Sequence, residues 1–141
     1  MPSSCGDIMT RDPVCCAPGD SIKKAAELMK AEDVGPLPVV ETESRRLVGI
    51  VTDRDLVVNV LATGRDVNTT KVSDAMTRDP VKCKEDEPLE EALEKMSTYQ
   101  VRRLPVVDDQ DRIIGIIAQA DIATRIQDPE VAGEVVQDVS K

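Results

Sequence analysis

The chain has 141 residues and a net charge of −9, contains no histidine, and has aromatics at only 1% of its residues, with Tyr99 as the sole example. Such acidity repels a polyanion, so nucleic acid is not an expected partner. The missing imidazole removes the usual general base and the commonest zinc ligand, and Val, Ile, Leu, Ala and Met must fill whatever core forms.

No apolar run approaches the ~20 residues of a membrane span. The opening MPSSCGDIM has neither a basic start nor an apolar stretch, so no secretory signal is expected and a cytoplasmic location follows. Cys5, Cys15, Cys16 and Cys83 form no C-x-x-C pair, and free buried thiols are the plain expectation.

In chain order the sequence is written twice. DIMTRDPVCC, residues 7–16, returns as DAMTRDPVKC, residues 74–83, with eight of ten positions identical at an offset of 67. Each copy then predicts a short strand after Pro13 or Pro80. A helix follows from about Ser21 or from Pro88, which suits a first helical turn. Its apolar stripe is Ile22, Ala25, Ala26 and Met29 in one copy, and Leu89, Ala92, Leu93 and Met96 in the other, at i, i+3, i+4 and i+7. VGPLPVVE, residues 34–41, answers VRRLPVVD, residues 101–108, and each predicts a strand. LVGIVTDRDL, residues 47–56, answers IIGIIAQADI, residues 113–122: a strand, then a helix from Asp53 or Gln119. The expected class is α+β, two β-α-β-β-α copies packed by pseudo-twofold symmetry. The copies run over 5–63 and 74–127, joined by a link at 64–73 and followed by an acidic tail at 128–141.

A tandem unit with D-x-M-T-x-x-P-V, then L-P-V-V, then G-I-V-T-x-R-D resembles the cystathionine-β-synthase (CBS) domain pair, the Bateman module, over residues 5–127. The resemblance implies a stand-alone regulatory module that senses an adenosine derivative such as AMP, ADP, ATP or S-adenosylmethionine. It further implies a homodimer and an unknown regulated protein.

Thr52 and Asp55 carry two readings. Thr-x-x-Asp at a strand-to-helix junction is a capping box that requires no ligand. The same helix start, with free N–H groups and Gly49 in the preceding strand, also suits an anion. The resemblance assigns Asp55 to ribose hydroxyls and Thr52 to ribose or phosphate. Because the family shares its cleft between copies, it would set them opposite Met76, Val81, Val101, Arg102 and Arg103. The arginines replace Gly35-Pro36 of the first copy and suit phosphate, or else a solvated edge or an ion pair with Asp108 or Asp109. Lys82, Lys84 and Arg54 add positive charge or are solvated. With no aromatic to stack, adenine would rest among Val81, Ile50 and Val101, while Tyr99 is expected as a partly buried spacer.

The second copy keeps Gly115 and Asp121, but Ala118 replaces the threonine hydroxyl. A weaker or vacant second site of Asp121, Gly115, Val14 and Gly35 is therefore expected. No nucleophile is paired with a base and no metal set exists, so an enzyme is not expected and no cofactor is required. The alternative is a structural or stress-response protein, possibly responsive to thiol oxidation through the equivalent positions Cys16 and Cys83.

Overall fold

The structure, a computed structural model, describes residues 3–126. The expected acidic tail lies outside the described residues. In chain order come α1 (Cys5–Ile8), β1 (Thr10–Arg11), α2 (Ile22–Glu32), β2 (Pro36–Val40), β3 (Leu47–Thr52) and α3 (Asp53–Asp55), which runs on as a π-helical turn, Leu56–Leu61. After a 3-10 turn, Val72–Asp74, follow β4 (Thr77–Arg78), β5 (Cys83–Lys84), α4 (Leu89–Tyr99), β6 (Arg103–Val107), β7 (Ile113–Ala118) and α5 (Gln119–Ile126).

The chain divides into two units that do not coincide with the two sequence copies. Unit 1 gathers residues 3–13, 81–110 and 114–126, and unit 2 holds Val14–Pro80 and Asp111–Ile113. The reason is that each copy's opening segment joins the other copy's sheet. In unit 1 the strand order is β1-β7-β6-β5, with Thr10 and Arg11 registered on Ile116 and Gly115. In unit 2 the order is β2-β3-β4, with Thr77 and Arg78 on Ile50 and Gly49. The strand expected after Pro13 is reduced to a single parallel bridge from Cys16 to Val39, whereas Cys83–Lys84 forms a short strand parallel to β6.

Both cores are aliphatic, as the lack of aromatics requires. Leu104, Val106, Ile117, Ile122 and Met96 centre the first; Ile22, Leu37, Val39, Val51 and Val60 centre the second. β3 and β7 both alternate buried and half-buried residues, the period-2 signature of a strand with one core face. The α4 stripe is buried at all four expected positions, but in α2 Ala26 is exposed while Ile22, Ala25 and Met29 are buried. Ala26 stands where α4 carries Leu93, and a methyl group loses little by facing water.

The link between the copies is structured rather than loose. The Thr70 and Val67 carbonyls accept from Ile22 and Lys23 N–H at 3.0 Å each, and Ser21 Oγ accepts from Lys24 N–H at 3.1 Å. These bonds satisfy three donors that the first turn of α2 would otherwise leave open. Pro88 is the N-cap of α4, one position before the first turn.

Both long helices end on a left-handed non-glycine residue: Asp33 at φ 53° and Gln100 at φ 55°. Glycine adopts this conformation without a Cβ penalty. Gln100→Gly is expected to stabilise the protein by about 0.5–1 kcal/mol, read as a higher urea midpoint at unchanged slope.

Candidate functional site

The start of each copy's last helix is built the same way. In unit 2, Asp53 N–H donates to the Gly35 carbonyl at 3.0 Å; in unit 1, Gln119 N–H donates to the Arg102 carbonyl at 2.8 Å. This bond ties the entry of one strand to the first turn after the next, bringing position 35 or 102 onto the helix N-terminus.

In unit 2 the capping box is complete. Thr52 Oγ1 accepts from Asp55 N–H at 3.1 Å, and Asp55 Oδ2 accepts from Thr52 N–H at 2.9 Å. In unit 1 half of it survives, since Asp121 Oδ2 accepts from Ala118 N–H at 3.3 Å. Capping therefore accounts for Thr52 and Asp55 locally. The Thr52 hydroxyl proton is still available for donation, because that hydroxyl accepts in the cap.

Electrostatics separates the two helix starts. A Cβ placed on Gly35 would lie 3.3 Å from Asp53 Oδ2, so unit 2 holds a carboxylate against the strand entry. In unit 1 Gln119 stands in place of that aspartate and Arg102 in place of that glycine. Arg102, Arg103, Ala118, Gln119, Ala120 and Ala123 line an open cavity of about 560 Å³. Among the described residues neither guanidinium is held in an ion pair. Two exposed guanidinium groups at an eight-residue helix's N-terminus favour an anion.

The residues expected as one principal site divide between the units. Unit 1 contains Arg102, Arg103, Val81 and Val101 together with Asp121 and Gly115; unit 2 contains Thr52, Asp55, Ile50 and Met76 together with Val14 and Gly35. Arg102 and Arg103 thus neighbour the start of their own copy's helix, a placement that the shared-cleft expectation did not give them. Val81 and Val101 are half-buried against the unit 1 core, and Val14 is half-buried against that of unit 2.

Gly115 and Gly49 each lie under a methionine of the exchanged segment, Met9 and Met76 respectively. The room that these glycines leave is taken by the protein's own chain. Tyr99, expected to be partly buried, is 59% exposed, because it ends α4 beyond its buried stripe. Asp109, a candidate partner for the arginines, instead pairs with Lys84 at 3.2 Å. The Lys82 carbonyl accepts from Lys95 at 2.9 Å, and Arg54 is exposed.

Gln119 and Ala123 were not singled out in the sequence. The signal for Gln119 was there, since aligning Asp53 with Gln119 shows a carboxylate lost beside two arginines gained.

The sequence matches the CBS domain family twice, over residues 5–62 and 72–128. The chain belongs to that family, as a CBS domain pair. It is similar to hypoxic response protein 1 of Mycobacterium tuberculosis, solved with two coordinated zinc ions, at 34% identity and TM-score 0.80 over 86% of this chain and 98% of that one. It is similar to the CBS domain pair of MJ0100, solved with 5'-methylthioadenosine and S-adenosyl-L-methionine, at 32% identity and TM-score 0.79 over 90% and 98%. CBSX2 of Arabidopsis thaliana, solved with AMP, shares 28% identity at TM-score 0.79 over 91% and 98%. Among the described residues of this chain, no group of three or more Cys, Asp or Glu is placed to hold a metal ion. No described helix is long and apolar enough to cross a membrane.

Proposed function

We propose that the chain is a non-catalytic, ligand-sensing regulatory module that binds an adenosine nucleotide through its phosphate and ribose. The observation that carries this reading is the unit 1 cavity, where Arg102 and Arg103 meet the N-terminus of α5. Phosphate is the chemistry that two guanidinium groups and open N–H donors recognise together. Asp121, three residues into the same segment, supplies a carboxylate for ribose hydroxyls, and Val81 and Val101 supply aliphatic surface for the base. The AMP bound by CBSX2 and the adenosyl ligands of MJ0100 support an adenosine core. The arginines favour AMP, ADP or ATP over S-adenosylmethionine, whose sulfonium is a cation.

The helix start at Thr52 and Asp55 forms the second, weaker place for a ligand, since Asp53 puts negative charge where the phosphate would lie. This reverses the ranking expected from Thr-x-x-Asp alone. Binding signals to a regulated protein by favouring one arrangement of the module over another. Val57, Val58 and Leu61, exposed on the π-helical turn, support self-association into a homodimer. The complete capping box of unit 2 favours a second reading, a structural protein in which Thr52 and Asp55 only end a strand and start a helix.

Calorimetry of the whole chain with AMP, ATP, S-adenosylmethionine, 5'-methylthioadenosine and GTP separates these readings. The expected result is one dominant adenine-nucleotide site per chain, weakened more by Asp121→Ala than by Asp55→Ala. No binding of any of the five ligands overturns the sensing reading; stronger dependence on Asp55 moves the principal site to unit 2.

A further inference from the structure

α1 is laid across the turn that follows β5. Cys5 N–H donates to the Glu87 carbonyl at 2.9 Å, Gly6 N–H to the Glu85 carbonyl at 2.8 Å, and Leu89 N–H returns to the Ser3 carbonyl at 3.2 Å. A Cβ on Gly6 would lie 3.1 Å from the Glu85 oxygen, which shows how closely the two segments approach. This contact brings Cys5 and Cys83 together in the buried unit 1 core at 0% and 1% exposure, with α1 lying against β5. Cys83 Sγ is also 3.9 Å from the Pro105 carbonyl oxygen. The thiol facing Cys83 is therefore Cys5, 78 positions earlier in the chain, whereas the sequence had suggested Cys16. Cys16 lies in the unit 2 core, 4.0 Å from the Pro38 carbonyl oxygen.

We propose that Cys5 and Cys83 form a redox-active dithiol site that closes to an intramolecular disulfide on reaction with a hydroperoxide. The two thiols are not equivalent. The neighbouring Cys83 side chain holds the Cys5 thiol below its ordinary range against the opposing effect of burial, with Lys95 adding to the lowering. The Cys5 side chain and burial together push the Cys83 thiol up. Cys5, carried on the four-residue α1 whose opening admits the oxidant, is the attacking sulfur, and Cys83, held in β5 beside β6, the resolving one. The Cys5 thiolate attacks the distal oxygen of the hydroperoxide, the O–O bond breaks, and the departing alkoxide or hydroxide takes a proton to leave as alcohol or water. The Cys83 sulfur then attacks the resulting sulfenic acid, and hydroxide leaves with the Cys83 proton as water. Two thiols are oxidised, one peroxide is reduced, and an S–S bond of about 2.05 Å forms. Access comes from local opening of α1, a helix of only four residues near the start of the chain. Cys15 and Cys16 lack this arrangement: neighbours on an extended segment point to opposite sides, and burial pushes the Cys16 thiol up to about 12.

The test treats the full chain with graded hydrogen peroxide, blocks remaining thiols with N-ethylmaleimide under denaturing conditions, and maps unreduced peptides by mass spectrometry. The expected product is a Cys5–Cys83 cross-link that dithiothreitol reverses, with Cys15 and Cys16 still blocked. Cys83→Ser is expected to leave Cys5 as a dimedone-reactive sulfenic acid, and Cys5→Ser to leave Cys83 unoxidised at the same dose. If either variant fails to fold, the wild-type map alone decides. Complete blocking of Cys5 and Cys83 after peroxide, a cross-link to Cys15 or Cys16, or over-oxidation of Cys5 without a cross-link overturns the proposal.

Discussion

Replacing both Arg102 and Arg103 by alanine is expected to weaken AMP binding about 100-fold while changing adenosine binding less than about threefold. A hydrogen bond to a charged group contributes about 1.5–3 kcal/mol, and about 1.4 kcal/mol is a factor of ten. Both arginines are exposed, so the low end of that range applies to each. Adenosine lacks the phosphate and has nothing to lose at the guanidinium groups. Replacement of both arginines by lysine keeps the charge but gives up the planar donor fork, and is expected to cost about tenfold. AMP affinity should also fall with added salt in the wild type and lose most of that dependence in the alanine variant. Isothermal titration at several salt concentrations reads all of this. Equal losses for adenosine and AMP would mean that the substitutions damage the fold, and unchanged AMP binding would remove the phosphate assignment.

The strands and helices were legible because their signals are local. Leu47–Thr52 and Ile113–Ala118 alternate with period two, and the turn at Asp53 or Gln119 marks where each helix begins. The exchange of opening segments was not legible. TRDP occurs identically in both copies, so nothing in residues 10–13 or 77–80 distinguishes pairing with its own copy from pairing with the other. The charge around the two helix starts was hard to read for a related reason. Thr52 and Asp55 stood out as a motif, yet the charge that distinguishes the helix starts comes from Asp53 beside Gly35 in one unit and from Arg102 and Arg103 in the other. Repetition reveals that two copies exist; differences between the copies reveal which helix start carries arginines and which an aspartate.

The exchanged segments lead to the second large effect. Gly49→Ala is expected to destabilise the protein by about 1–3 kcal/mol, the usual cost of overpacking. Gly115→Ala is expected to cost a similar amount for a different reason. At Gly49 the new Cβ would lie 2.7 Å from Met76 Sδ and 2.8 Å from the Thr77 carbonyl oxygen. At Gly115 it would lie 2.5 Å from Met9 Sδ and 3.0 Å from the Thr10 carbonyl oxygen. A thioether end can swing away, but a backbone oxygen moves only with its strand, and β4 is registered on β3 at that residue. Shortening the methionine should therefore rescue one site and not the other. In a double-mutant cycle, Met9→Ala with Gly115→Ala should be more stable than the sum of the single changes by about 1 kcal/mol or more. Met76→Ala with Gly49→Ala should be additive to within about 0.5 kcal/mol. Urea unfolding of the six variants measures both coupling terms. Strong rescue at Gly49 would show that its neighbour Met76, rather than the strand backbone, demands the glycine.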